Sequence, residues 1–353
     1  MNARDLRDLV SRAARNSRVR PSADPPVVAR RAKPDELLGP DSSFRGAPDD
    51  DLPAHAPTYY DQPLLKKPHW EWEVITYLFL GGIMGGSGML TLLADRREDA
   101  QLERSARYVS FALAAACPLV LIKHLGRPER FHHMLRIVKF KSVMSMGVWG
   151  LIAFSVPATL GAVAQLANDG LVPRPLRLVG PRWTILPLLA VLGAFIAGYT
   201  GVLISATAIP LWAIGKRYIP AFSVCSGVAG ACAANGMILT LFGGSQKTVR
   251  KLERFELVAS LAELVLVMGF ARHAGDVGKP MFSGARGKKL RTYTIGLGII
   301  VPAVLNLLPF HARPKTIFTS ALTLGGGYVL RESLIEGGKD SADDPRAASR
   351  QPE

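Results

Sequence analysis

The chain has 353 residues, 48% of them hydrophobic, with 43 Lys and Arg against 28 Asp and Glu, a net charge of +15. A mean hydropathy of +0.19 beside 20% charged residues means that apolar and charged residues are segregated along the chain. The basic residues lie in tails and short loops between long uncharged runs, which excludes a soluble globular enzyme as the leading reading. It also turns the basic excess from a hint of nucleic acid into a membrane-topology signal.

Residues 1–68 are rich in Arg, Asp and Pro and cannot bury a core, so they predict a mostly disordered tail. Near its start Leu6, Leu9, Val10, Ala13 and Ala14 alternate with arginines at helical spacing. That pattern suits a short amphipathic helix on anionic lipid or a partner, or simply a solvated arm. No cleavable signal and no twin-arginine segment before an apolar run is visible.

Five uncharged runs follow, 74–94, 142–168, 183–215, 218–246 and 292–312. Each is long enough to cross a hydrocarbon core of about 30 Å at a rise of about 1.5 Å per residue. Three weaker candidates remain: 108–122, 316–330 and 257–271, the last with Glu263 in its middle. Snorkelling of Arg107, Lys123 and Arg331 would rescue the first two, whereas Glu263 must face protein or water rather than lipid. The expectation is an all-α integral membrane protein of eight transmembrane helices in two four-helix bundles, spanning 69–335, with a short polar tail at 336–353. Cys117, Cys225 and Cys232 fall inside the spans as small packing residues.

Lysine and arginine are more numerous on the face that carries both termini, chiefly in loops 123–142 and 272–291. The bias predicts a multi-pass protein of the bacterial inner membrane with both termini cytoplasmic. A docking surface for an acidic partner would give the same bias. None of the seven histidines lies mid-span and the cysteines form no cluster, so the chain is expected to carry neither haem nor an iron–sulfur centre.

Polar chemistry gathers at one membrane face. His69-Trp70-Glu71-Trp72-Glu73 opens the first helix with an interfacial tryptophan belt, and Glu73 and Tyr77, four residues apart, share a helix face. The glycine run at 81–88 admits close helix packing or a flat ligand. In the middle of its span, Glu263 suits a proton relay or ion partner. As a structural group it would need a neighbour such as Asn235, Ser205, Thr207 or Asn306, with no Lys or Arg evident at its depth.

Several motifs in order resemble the NrfD or polysulfide-reductase membrane-subunit family. They are Trp70-Glu71-Trp72-Glu73 with Tyr77 and the glycine run, Leu125-Gly126-Arg127-Pro128-Glu129-Arg130-Phe131, Lys141-Ser142-Val143-Met144-Ser145-Met146-Gly147-Val148-Trp149, Tyr199-Thr200-Gly201 and Gly326-Gly327-Tyr328-Val329-Leu330-Arg331. The resemblance covers residues 60 to about 345. It implies a haem-free subunit that is not itself the catalytic centre and that binds a quinone, menaquinone or ubiquinone, near one face. It further implies a ferredoxin-like iron–sulfur partner and a catalytic subunit, often a molybdopterin protein. Matching the glycine runs puts Glu73 and Tyr77 at the quinone, with Tyr199 as the tyrosine contributed by a later helix.

The residues themselves point to the same face, where Glu73, Tyr77, His124 and Arg127 fall at the ends of the first two helices. A quinone needs hydrogen-bond donors at its carbonyls and a titratable group within reach. His124 stands where many relatives carry Asp, and a histidine exchanges protons near neutral pH. Arg127 could instead hold the loop through a carboxylate or phospholipid. His132 and His133 suit the interface, and Tyr199 a deeper position on the inner wall. Glu263 is read as part of a proton path. The alternative to a quinone-linked anchor is a proton-coupled secondary transporter, which would also need an intramembrane acid and Gly/Pro-interrupted helices. The only internal likeness of the kind a transporter would have is a loose one between the glycines near 81–88 and 227–236.

Overall fold

The computed structural model describes residue 65 and residues 67–179, 181–308 and 312–343. The expectations for the N-terminal tail before residue 65 and for the tail beyond residue 343 lie outside the described residues. Among these residues eight long helical rods follow one another: α1 (Trp72–Arg96), α2 (Ala100–His124), α3 (Val143–Asn168), α4 (Arg182–Ser205), α5 (Ile219–Leu241), α6 (Gln246–Ala274), α7 (Gly284–Leu307) and α8 (Arg313–Ser341). Rods α1 to α5 and α7 are long and apolar enough to cross a membrane. The 29-residue α6 and α8 lack that apolar composition because their inward faces carry charge, with Glu253, Glu256 and Glu263 buried on α6 and Arg331 on α8.

Local signals set the rod ends. Asp99, Ser142 and Ser245 cap α2, α3 and α6 by accepting from the backbone N–H groups of Leu102, Ser145 and Lys247. Gly243 (φ 78°) and Gly275 (φ 50°) close α5 and α6 in backbone conformations that side chains disfavour. The long uncharged run at 183–215 breaks after Ser205, before a short helix at Pro210–Ile214. Rod α8 continues through Ser341, past the boundary expected at 335. Gly338 there has no room for a side chain against Trp212, whose indole N–H donates to the Leu334 carbonyl at 2.8 Å.

Rods α1 to α4 close one ring of contacts and α5 to α8 a second, and α1 joins the two by packing on α5 and α8. The glycine run makes that junction. A Cβ on Gly86 would stand 2.5 Å from the Gly227 carbonyl oxygen of α5, and one on Gly85 2.3 Å from the Gly193 carbonyl oxygen of α4. The two glycine-rich segments that look alike in sequence therefore resemble each other because they pack on one another.

The expected snorkelling of Arg107 and Arg331 is corrected by the structure. Both are 2% exposed and turn inward. Arg107 pairs with Glu103 at 2.6 Å inside the first ring, and Arg331 lies over the Phe222 ring in the second. A buried carboxylate makes the interior position of Arg107 tolerable, while Arg331 keeps one hydrogen bond, to the Ser223 carbonyl at 3.3 Å. Lys123 does stay exposed, with its ammonium 4.5 Å above the Trp72 ring. Trp72 is half exposed, but Trp70 stacks on buried Trp212 at 5.0 Å instead of joining an exposed belt.

The start of α6 is tied to the start of α2 by Asp99, which accepts from the Thr248 hydroxyl at 2.8 Å and from Lys251 at 3.1 Å. Burial pushes the Asp99 carboxyl up, but the Thr248 and Lys251 hydrogen bonds outweigh it and hold the group below its ordinary value of 3.8. A depressed folded value means that the stabilisation is complete above the ordinary carboxylate range and is lost as pH falls through the folded value. Asp99→Ala should cost about 0.5–2 kcal/mol, as expected for an N-cap. The difference from the unsubstituted protein should shrink on acidification below pH 3.8, which thermal unfolding across a pH series in detergent would measure.

Candidate functional site

Lys67 and Asp343 form an ion pair at 2.5 Å, so the first and last described rods meet at one end of the molecule, where α1 starts and α2 finishes. At that end an apolar cavity of about 250 Å³ opens between α1, α2, α3 and α4. Tyr77 reaches it from α1, His124 from the last residue of α2, and Tyr199 from α4. The walls are aliphatic, including Leu121, Ile122, Leu151 and Leu203. Such a shape, apolar with a few convergent polar groups, is the usual form of a small-molecule site.

Each polar group is held by a local feature of the sequence. Tyr77, 2% exposed, stands about a turn and a half into α1, one turn before Gly81, which faces Thr200 of α4. Tyr199 lies flat on Gly147 of α3, where any side chain would collide with its ring, and donates its hydroxyl proton to the Val143 carbonyl at 2.6 Å. Tyr199 thus stands near the cavity's end of α4, nearly five turns from Arg182 and less than two from Ser205. His124 is half-buried, with Nδ1 4.0 Å from the Glu73 carboxylate. The buried Glu73 Oε2 has no hydrogen-bond partner, which leaves it able to accept from a ligand or from a protonated His124.

Glu73 thus stands behind His124 and is not part of the cavity wall, and Arg127 does not reach the cavity at all. Arg127 is exposed at the start of the 3-10 helix Pro128–Leu135, which has no buried residue and brings Phe131, Met134 and Leu135 to the cavity's rim. Those three, with Met144 and Gly147, are lining residues that site reasoning from polar chemistry passes over. Their sequence signal was the repeated presence of aromatic and Met residues after Gly126-Arg127-Pro128. His132 and His133 lie on the exposed side of the same turn, ring to ring at 4.4 Å.

Glu263 lies apart from this cavity, in the second ring. It is 4% exposed and faces Ser226 of α5, with which it lines one small cavity, and the charge nearest to it is that of Arg331 on α8. This corrects the expectation that no basic residue matched its depth. The residues named as neighbours have other partners: Asn235 joins Ser87 and Ser105, while Ser205 and Thr207 bond back to Gly201 and Ile204. Asn306 lines a separate cavity near Glu253.

Comparison with known proteins gives this arrangement a context. The family model described as polysulphide reductase, NrfD, matches residues 63–340. The C subunit of the polysulfide reductase of Wolinella succinogenes is 26% identical over 311 residues, covering 76% of the present sequence and 94% of that protein. The NrfD homolog of Haemophilus influenzae is 26% identical over 310 residues, with 76% and 94% covered, and NrfD of Escherichia coli 27% over 305, with 76% and 95%. With its several apolar rods the chain is a multi-pass membrane protein, and because the family model takes in all eight rods it belongs to the polysulphide reductase, NrfD, family.

Proposed function

We propose that the chain is the haem-free, quinone-binding membrane anchor of a multi-subunit oxidoreductase. In this role it exchanges electrons between a ferredoxin-like iron–sulfur subunit and the quinone pool of a bacterial inner membrane. The observation that carries the proposal is the convergence of Tyr77, His124 and Tyr199, from three rods, on one apolar cavity at the end where Lys67 and Asp343 pair. A quinone head would take hydrogen bonds from the tyrosine hydroxyls. His124, backed by the unpartnered oxygen of Glu73, would pass the proton that accompanies reduction. The aliphatic walls suit an isoprenoid quinone of either kind, ubiquinone or menaquinone. In this reading all eight rods span, α6 and α8 included, because their charges face inward, and both termini are cytoplasmic. Arg127, with the basic loop 123–142, would serve the partner's docking surface and not the quinone.

Purified complex should turn over a quinone analogue. Tyr77→Phe or Glu73→Gln should slow this about tenfold, the weight of one hydrogen bond near 1.4 kcal/mol, with assembly intact. Turnover unchanged from the unsubstituted protein in both variants would sink the site assignment. Purification of the tagged protein without any iron–sulfur partner would sink the complex. A reporter fused to the C-terminus tests the orientation.

A further inference from the structure

Rod α6 carries Glu253, Glu256, Ser260 and Glu263 at spacings of three, four and three, so all four lie on one stripe of the helix, and all four are buried. The carboxylates span about 15 Å at 1.5 Å per residue, half of a bilayer's hydrocarbon core. The first two have hydroxyl partners on α8, across the second ring. The Thr316 hydroxyl donates to Glu253 at 3.0 Å and the Thr323 hydroxyl to Glu256 at 2.6 Å.

At the inner end the packing leaves a gap. Residues Leu290–Ile300 of α7 form a π-helix, and Gly298 there meets Gly326 of α8 so closely that a Cβ on Gly298 would stand 2.7 Å from the Gly326 Cα. Beside this contact is an enclosed cavity of about 10 Å³, room for about one water. It is lined by Thr323, which also bonds Glu256, and by Glu263, whose Oε1 is buried without a partner. At the outer end Glu253 lines an open cavity of about 240 Å³ with Arg250, Arg254 and Asn306, at the end of the molecule opposite the tyrosine cavity. Beyond Glu263 stands Arg331. Its Nε and Nη1 have no partner, Nη2 donates to the Ser223 carbonyl at 3.3 Å, and a Cβ on Gly82 of α1 would lie 3.9 Å from Nη2.

From this geometry we infer that the α6 stripe is a proton half-channel, entered beside Glu253, relayed by Glu256 and one water at Thr323, and ended at Glu263 by the fixed charge of Arg331. Each hop breaks one O–H bond and makes another at the next oxygen, and no electrons move. A buried guanidinium repels a proton that would travel further, as cationic barriers do in selective pores. The other titratable groups beside the path are Cys225 at Glu263 and Cys232 at Glu256. Because Arg331 also borders the glycine stretch of α1, a change of charge at Glu263 is felt one turn from the Tyr77 cavity. The inference rests on Glu263 being a proton site, and it is independent of what occupies the tyrosine cavity.

The test is infrared spectroscopy of the full-length protein in lipid, following the carboxylic-acid carbonyl band during transfer to deuterated buffer. A band absent from Glu263→Gln is expected, and its exchange should slow severalfold in Glu256→Leu and in the milder Glu256→Gln. Glu71→Gln, an exposed change, should leave it unaltered. Absence of any Glu263 band across the pH range would overturn the proton site itself. A Glu263 band that exchanges as fast in both Glu256 variants as in the unsubstituted protein would overturn the half-channel and leave the proton site standing. A band that sodium, and not pH, removes would overturn the channel as a proton path.

Discussion

Alanine in place of Gly86 should destabilise the protein by about 1–3 kcal/mol, the usual cost of forcing a methyl group into a filled interior. The added carbon would stand 2.5 Å from the Gly227 carbonyl oxygen and 2.8 Å from the Ala231 Cβ, and backbone cannot turn aside as a flexible side chain can. Rods α1 and α5 would have to separate, and with them the two rings. Gly325→Ala is the control. Gly325 lies exposed in the interior of α8 with nothing within 4 Å of an added Cβ, so the change should be neutral or add a fraction of the helix preference of alanine over glycine. Thermal unfolding of the two variants in detergent separates them. Equal midpoints would mean that the glycine contact does not set the spacing of the rods.

Loss of Glu103 should be the most damaging single substitution in the first ring. Glu103 sits at the start of α2, away from the tyrosine cavity, and holds buried Arg107 at 2.6 Å and also Arg182 of α4. Arg182 is more than half exposed and keeps Asp95 at 2.9 Å, whereas Arg107 would retain only a long contact to Gln165 at 3.4 Å. A charge stripped of its partner in a dry interior costs about 3–5 kcal/mol, while replacing both members of a pair with apolar residues is often close to neutral. Glu103→Leu should therefore unfold at much lower denaturant, and the double change Glu103→Leu with Arg107→Leu should regain most of the loss. Additive losses in the double variant would mean that the pair is not what holds this end together.

Much of the architecture is legible along the chain because membrane spans are written locally. An uncharged run of sufficient length is a property of consecutive residues, so α1, α3 and α5 can be placed from the sequence within about five residues, whereas α7 begins eight residues before the run expected for it, among the charges of 286–291. Rods α2, α6 and α8 are harder, since each hides charge among its apolar residues. The cost of that charge depends on what faces it, and Arg107 and Arg331 read as interfacial until Glu103 and Glu263 are seen beside them. In the tyrosine cavity, Glu73 and Tyr77 are linked by helix spacing alone. Their relation to His124 and Tyr199 depends on how α1, α2, α3 and α4 pack, with α1 pressed on α4 at Gly85 and α3 on the Tyr199 ring at Gly147.

The sequence by itself determined that this protein is apolar, helical and basic at its loops, and it carried the motifs of its family, because those are properties of neighbouring residues. Only the tertiary structure decided where the glycines press rod on rod. It also brought Arg331 near Glu263, and it buried the three carboxylates of α6 and opened a cavity beside Glu253 at the far end. The physical reason is that a buried charge is tolerable only beside a partner, and the partners of the α6 carboxylates, Thr316, Thr323 and Arg331, are separated from them by tens of residues and meet them only when the rods pack.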